Sequence, residues 1–290
     1  MKKFIIEPEY HNYKISQYLK EVKGFSGRSI RNVDVYLNGK KVKTSKQVKK
    51  LNRLLVKEKL KETGIRSIPM DLKIAYEDKN LLIIDKEPYI LVHPTTKKAD
   101  LTLANGVIHY FQQTMGETLP PRFYNRLDMN TSGLVVVTKN AYVQAFLQDR
   151  AKVRKFYKAL VKGIIEKDEF MVERPLGKVG DELRRKEISV QDGGQEAKTK
   201  VTVLERYPDQ DLTLVELELF TGRTHQIRAH LSLEGFPILG DELYGGEDSR
   251  AKRQLLHSYK LIFTDVETME DRTVEIGLPD DMLDILNGKK

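Results

Sequence analysis

A single carboxylate carries the reactive potential of this chain. Asp128 lies in the stretch Arg126-Leu127-Asp128-Met129-Asn130-Thr131-Ser132-Gly133, directly before the apolar run Leu134-Val135-Val136-Val137. An acid and a base followed by small hydroxyl residues and a glycine are turn residues, and the valine run reads as a buried strand. Loops held by rigid strands are where reacting groups tend to sit. The spacing Asp128-x-Asn130-x-Ser132-Gly133 mimics the start of a calcium loop. That reading requires a glutamate at the twelfth position, which is Lys139, and a helix where this chain has a strand. A turn Asp that only caps its own backbone is the plainer alternative. Arg126 lies two residues earlier, and an extended Phe123 to Leu127 would put Arg126 and Asp128 on one side of the chain.

Two further segments hold chemistry-bearing side chains. In Lys155-Phe156-Tyr157-Lys158-Ala159-Leu160-Val161-Lys162-Gly163, strand alternation puts Tyr157, Ala159 and Val161 on one face, with Phe156 and Leu160 opposite. A tyrosine there is either a packed aromatic with a satisfied hydroxyl or a ring that faces a substrate. In Thr221-Gly222-Arg223-Thr224-His225-Gln226-Ile227-Arg228-Ala229-His230, a helix is expected from Thr224, with Ile227 and Leu231 as a core pair at i, i+4. Arg228 adjoins that stripe, which predicts a half-buried guanidinium. A buried arginine left without a carboxylate costs several kcal/mol, and Asp128 is the natural partner. His225 and His230 are five apart, the wrong interval for two ligands on one helical face, and no third ligand accompanies them.

These segments must be positioned by a fold. From Asp71 onward the pattern is mostly short strands: Leu72 to Tyr76, Leu81 to Asp85, Ile90 to His93, Leu134 to Thr138, Phe156 to Val161, Lys200 to Leu204 and Leu212 to Phe220. Helices are expected over Leu101 to Met115, Ala141 to Ala151 and Thr224 to Leu233. Alternation in Leu212 to Leu219 argues for antiparallel pairing, and no βαβα rhythm is present. The class is α+β, a mixed, largely antiparallel sheet with flanking helices. Before it lies a basic segment: a helix around Asn12 to Lys20, a second from the N-cap Ser26 through Val33, and a strand Val35 to Val42 containing an Asn38-Gly39 turn. Lys61 to Pro69 reads as a linker. Two domains follow, residues 1–67 and 68–290.

The Arg-Leu-Asp, two variable residues, Thr-Ser-Gly signature of Arg126 to Gly133 resembles that of the RluA-type pseudouridine synthases. Lys155 to Ala159 matches the family's Lys-x-Tyr-x-Ala motif. Pro237 to Gly246 and Leu255 to Ser258 also match, so the resemblance covers roughly residues 72 to 282. Two helices and a Lys-flanked hairpin in residues 1–67 are similar to an S4 RNA-binding fold, with Asn52-Arg53 replacing the usual Gly-Asp. The resemblance implies a pseudouridine-synthase-like sheet with a small α/β S4-like amino-terminal domain. It implies that Asp128 is catalytic, that Tyr157 stacks on the target base and accepts a proton, and that Arg228 pairs with Asp128. Arg126 would fill the gap left by an extruded uridine, with Thr131, Arg223 and His225 binding substrate and Arg28, Arg31, Lys40, Lys41 and Lys43 binding RNA. Two departures stand out: Asn125 replaces the His before Arg-Leu-Asp, and the early Lys-Pro-x-Gly segment reads Glu87-Pro88-Tyr89-Ile90.

Charge and composition agree with a polyanionic partner. Of the formal net charge of +8, residues 1–70 hold 18 Lys/Arg against 6 Asp/Glu, +12, leaving −4 for the rest. A basic module on a mildly acidic body suits capture of RNA. The chain has no cysteine, which removes disulfides, thiolate catalysis and Cys-based metal sites. It shows no secretory signal in Met1 to Tyr10 and no run of 18 apolar residues, so a cytoplasmic protein without a membrane span is expected. The sequence does not read out oligomeric state, and a monomer is the working expectation. Neither a Walker nor a dinucleotide pattern is present. Uridine isomerisation needs no cofactor and no metal, which fits this small kit. Ribosomal RNA is the favoured substrate and tRNA the alternative. The rival classes are a non-catalytic RNA-binding or ribosome assembly factor with a vestigial site, and a glycoside hydrolase, which would need a second carboxylate.

Overall fold

The structure, a computed structural model, describes residues 2–59, 64–94, 101–116, 118–149, 151 and 153–288. Its body is a mixed sheet in which every strand pairing is antiparallel but one. The strands are β5 (Lys73–Glu77), β6 (Leu81–Lys86), β7 (Arg122–Phe123), β8 (Ser132–Thr138), β9 (Arg154–Lys162), β10 (Glu169–Val172), β13 (Thr199–Tyr207), β14 (Leu212–Leu219), β15 (Leu256–Thr264) and β16 (Asp271–Glu275). Their order is β10-β13-β14-β9-β15-β8-β6-β5, with β16 on β15 and β7 on β8. The parallel pair is β15 with β8. A two-stranded ribbon, β11 (Leu176–Lys178) with β12 (Arg185–Glu187), stands apart. Helices α3 (Leu103–Met115), α4 (Ala141–Asp149), α5 (Gln226–Leu233) and α6 (Asp280–Leu286) flank the sheet.

Alternation along β9 divides the core as expected. Tyr157, Ala159 and Val161 join the cluster that holds Val107 and Phe111 of α3 and Ile227 and Leu231 of α5. Leu160 faces the opposite cluster, with Leu239, Met282 and Ile285 of α6. The valine run of β8 is buried on both faces, which is why it reads as continuous rather than alternating.

Two expectations are corrected. Ile90 to His93 forms no strand: the chain turns at Tyr89 (φ 67°), and a single bridge, Leu91 to Thr102, remains. Helix α5 begins at Gln226 rather than Thr224, because His225 takes a left-handed conformation (φ 56°) and the Gln226 side chain accepts a hydrogen bond from the Arg223 amide (3.0 Å). Strands β15 and β16 escaped the pattern. Buried His257 and Ser258 break the apolar run of β15, and β16 exposes all but Val274.

The basic segment makes its own four-stranded sheet, ordered β1 (Lys2–Ile5), β4 (Arg53–Glu58), β2 (Val33–Leu37), β3 (Lys40–Val42). Asn38 (φ 49°) and Gly39 (φ 84°) close the β2–β3 hairpin, as an Asn-Gly pair with both residues left-handed should. The first expected helix is a short turn, α1 (Ile15–Gln17), continued as a π turn over Tyr18–Val22. The second is α2 (Gly27–Arg31), and Ser26 caps it by accepting from the Ser29 amide. This sheet has a core of its own around Ile6, Ile15, Tyr18 and Val35. It touches the body where the Phe25 ring meets Tyr142 (5.1 Å between centroids) and Lys2 Nζ donates to Asn80 (3.2 Å). Part of the expected linker is docked: the Asn105 side chain donates to the Arg66 carbonyl (2.8 Å), and the Ile68 amide donates to the Asn105 carbonyl (3.3 Å).

Candidate active site

The Asp128 loop joins β7 to β8 and is closed by the Thr131 amide donating to the Asp128 carbonyl (3.1 Å). Two residues set where it enters β8. Gly133 is left-handed (φ 107°), and a side chain there would meet the Ser258 carbonyl of β15 at 2.3 Å, so the parallel β8–β15 pairing requires glycine. Ser132 Oγ lies 2.9 Å from His257 Nδ1 across the same pairing. Asn125, which replaces the family's His, bridges to β8 instead: its side chain donates to the Leu134 carbonyl (3.1 Å) and accepts from the Val136 amide (2.8 Å).

Arg228 reaches the loop from the first turn of α5 and is more buried than half. Its side chain is 9% exposed, and Nη1 donates to Asp128 Oδ2 (2.9 Å). A second carboxylate shares it. Asp241 accepts from Nε (2.6 Å) and Nη2 (2.8 Å) in a two-point grip. Asp241 is itself 1% exposed, whereas Asp128 is 30% exposed, so one acid anchors the guanidinium and the other presents its oxygens to the cleft. Burial pulls the Arg228 pKa down, but the Asp241 hydrogen bonds and the charges of Asp241 and Asp128 outweigh it, leaving the guanidinium above its usual range. The guanidinium carbon also lies 5.1 Å from the Tyr244 ring centroid, in a cation–π contact.

A cleft opens over these groups, lined by Arg126, Asp128, Thr131, Tyr157, Arg223, His225 and Arg228. The three side chains expected to act together therefore meet, although they come from β9, the β7–β8 loop and α5. Tyr157 is 5% exposed; burial, opposed by a hydrogen bond with Ser258 and joined by the Asp128 charge, pushes its phenol well up, so it stays protonated at neutral pH. Arg126 is solvent-exposed at the rim. His225 stands 3.9 Å from Asp128 Oδ2, with Nδ1 3.3 Å from the Tyr244 hydroxyl; burial lowers its pKa. Arg223 is exposed and donates from Nε to the Glu196 carbonyl (2.9 Å). Thr131 is 2% exposed with its hydroxyl accepting from Gln254 (3.3 Å), so it shapes the wall more than it offers a free hydroxyl. His230 is spent on the Thr199 hydroxyl (2.9 Å) and the Arg174 carbonyl (3.0 Å). Among the described residues no group of three His, Cys, Asp or Glu is arranged to hold a metal ion.

Two buried cations under the loop were not foreseen. Lys86 Nζ, on a residue 1% exposed, donates to the carbonyls of Glu87 (2.8 Å), Ile90 (3.0 Å) and Met129 (3.1 Å). Burial, helped by nearby Arg253, lowers its pKa to about 7. Arg253, 2% exposed, donates from Nη1 to the Asn130 carbonyl (3.1 Å). Lys86 also revises the reading of the Lys-Pro-x-Gly segment. Placed one residue earlier, the pattern puts its lysine on Lys86 and its glycine on Tyr89, the position that is left-handed. The signals for Asp241 and Tyr244 lay in Pro237 to Gly246, which matched the family without pointing to a role.

In the amino-terminal segment, Arg31, Lys40, Lys41 and Lys43 are exposed, and Lys41 pairs with Asp34 (3.0 Å). The Arg28 side chain lies outside the described residues.

The family described as "RNA pseudouridylate synthase" matches residues 80–233. A Bacillus subtilis protein named uncharacterized RNA pseudouridine synthase YjbO is 35% identical over 95% of this chain and 99% of its own. Ribosomal large subunit pseudouridine synthase D of Neisseria meningitidis is 31% identical over 97% of this chain and 75% of its own. Two solved structures share the fold. Human RNA pseudouridylate synthase domain containing 4 has a TM-score of 0.61 at 25% identity, covering 74% of this chain and 92% of its own. Human RNA pseudouridylate synthase domain containing 1 has a TM-score of 0.59 at 28% identity, covering 76% and 87%. The chain belongs to the RNA pseudouridine synthase family, of the RluA/RluD-like type. It is an enzyme that isomerises uridine in RNA, and the non-catalytic alternative is not favoured. Among the described residues no helix is long and apolar enough to cross a membrane.

Proposed function

We propose that this enzyme converts uridines of ribosomal RNA to pseudouridine, with Asp128 as the reacting carboxylate. The observation that carries the reading is the Arg228 guanidinium shared between buried Asp241 and cleft-facing Asp128. Fixed from behind, the arginine holds one oxygen of Asp128 at 2.9 Å and leaves the remaining oxygen for the substrate. Asp128 then attacks the uridine or removes a ribose proton to the same end. The glycosidic C–N bond breaks, the base turns, and C5 bonds to C1′, releasing the Asp128 carboxylate where it had bonded to C1′; the C5 proton leaves and N1 takes up a proton from water. Tyr157 packs on the base. Since its phenol is protonated, it takes up the C5 proton only while passing its own proton on, directly or through water. Arg126, exposed at the rim, fills the stack from which the base is extruded; extrusion costs a few kcal/mol and insertion recovers part of it. Arg223 and His225 flank the bound nucleotide, while Thr131 shapes the wall.

Residues 1–67 act as an S4-like clamp on the phosphates, with Arg28, Arg31, Lys40, Lys41 and Lys43 the contacts, and residues 68–290 as the catalytic domain. The choice of ribosomal RNA over tRNA leans on relatives named as ribosomal large subunit synthases. The protein works as a monomer in the cytoplasm. Release of tritium from C5-labelled RNA tests this reading. Label should leave ribosomal transcripts faster than tRNA, and Asp128→Asn should abolish release. Release by Asp128→Asn at the wild-type rate would remove Asp128 from the chemistry, and preference for tRNA would overturn the substrate.

A further inference from the structure

We propose that Asp281, on the carboxy-terminal helix α6, is a positioning residue for the reaction, acting on the Asp128 loop through the Arg253 guanidinium. The proposal rests on the reading of Asp128 as the reacting group.

The loop presents two successive carbonyls, Met129 and Asn130, to two buried cations, Lys86 and Arg253. Lys86 donates to three carbonyls, and among the described residues no carboxylate lies within ion-pair distance of it. Arg253 is held differently: Asp281 takes its Nε (2.6 Å) and Nη2 (2.9 Å) in a two-point grip. That leaves Nη1 aimed at the carbonyls of Asn130 (3.1 Å), Gln254 (3.0 Å) and Leu256 (3.3 Å). A planar guanidinium clamped along one edge has no freedom to rotate, so the direction of Nη1 is set by Asp281. Among the described residues Asp281 is the one carboxylate within ion-pair distance of Arg253. Yet the Asp281 side chain is 44% exposed, so burial does not account for an acid there. Met282 and Ile285 of α6 are buried and seat the helix without it.

Removal of the carboxylate leaves a buried cation to find other acceptors. The guanidinium then turns, and the Asn130 carbonyl loses its donor. Asp128 is two residues away on the same loop, and its alignment with Arg228 shifts. A displacement near 1 Å in a reacting group is enough to cost about a hundred-fold in rate. RNA binding relies on other surfaces and is untouched.

The test uses the full-length enzyme and tritium release. In Asp281→Asn, kcat should fall roughly ten- to a hundred-fold, with KM for RNA within about two-fold of wild type. Asp281→Glu, which keeps the carboxylate, should restore most of kcat, and Asp280→Asn, on the same helix, should match wild type. Val274→Ala, which removes packing from the opposite-face core cluster, controls for stability: it should lower Tm at least as much as Asp281→Asn while keeping kcat. An Asp281→Asn enzyme with wild-type kcat, or activity that tracks Tm equally in both variants, would overturn the proposal. So would failure of Asp281→Glu to recover. Asp128→Asn is assayed alongside: if it stays active, the underlying reading fails, whereas an inactive Asp128→Asn beside a normal Asp281→Asn defeats this inference alone.

Discussion

The amino-terminal segment and the catalytic body use cations in opposite ways. The first carries its positive charge outside, on Lys40, Lys41, Lys43 and Arg31, where water screens each one. The body is net acidic but keeps Arg228, Arg253 and Lys86 inside, each satisfied by fixed carboxylates or carbonyls. Exposed cations act at a distance on any polyanion and fade with salt. Buried ones act only on the few groups within hydrogen-bond range and decide geometry. The same residue types thus supply capture in one region and alignment in the other, according to burial.

The sharpest break would come at the interior. Asp128→Asn should cut single-turnover tritium release by more than about a thousand-fold while leaving RNA affinity intact. Arg228→Met leaves Asp241 buried without its partner, and should cost about 3–5 kcal/mol of stability in denaturant unfolding as well as activity. A loss below 1 kcal/mol would show that the guanidinium is dispensable to the fold.

His257 offers a subtler contrast, a buried group kept neutral. Burial, then the charge of Arg253, lowers its pKa from 6.5 to about 4. Between those values the unfolded chain binds the proton and the folded one does not, so stability falls as pH drops from about 6.5 toward 4. The full loss approaches about 3 kcal/mol. Unfolding of His257→Gln across this range should have a flatter acid limb; an unchanged limb would assign the slope to other groups.

The smallest effect on the fold belongs to the outer cations. Replacing Lys40, Lys41 and Lys43 with alanine should leave Tm unchanged, because exposed charges contribute little. The slope of log affinity against log salt should flatten by up to about 2, at about 0.7 per phosphate contact on single strands. An unaltered slope would remove this segment as the RNA clamp and collapse the comparison.

Legibility followed locality. The Asp128 loop, the β9 alternation and the Ile227–Leu231 stripe are short patterns whose periodicity is visible in a few residues, and all three appear where expected. Arg228 could be predicted to need a carboxylate, but Asp128 alone satisfied that need on paper, so the second acid, Asp241, stayed hidden. Lys86 drew no notice, since nothing nearby in sequence shows that three carbonyls will enclose an ammonium. Ile90 to His93 misled because its apolar residues pack while only a single bridge, from Leu91 to Thr102, pairs it.

By itself, then, the sequence determined the α+β class, the basic amino-terminal segment and the identity of the three side chains that line the cleft. The class and the basic segment follow from periodicity and net charge, both local properties, while the three side chains were singled out by motifs that resemble those of the family. Tertiary structure alone decided that Asp241 and Asp281 hold two arginines, and that Lys86 and Arg253 hold the loop between them. Partners of buried cations are chosen by distance in space: the two ion pairs span 13 and 28 residues and the two bonds to loop carbonyls span 43 and 123, separations that no local pattern records.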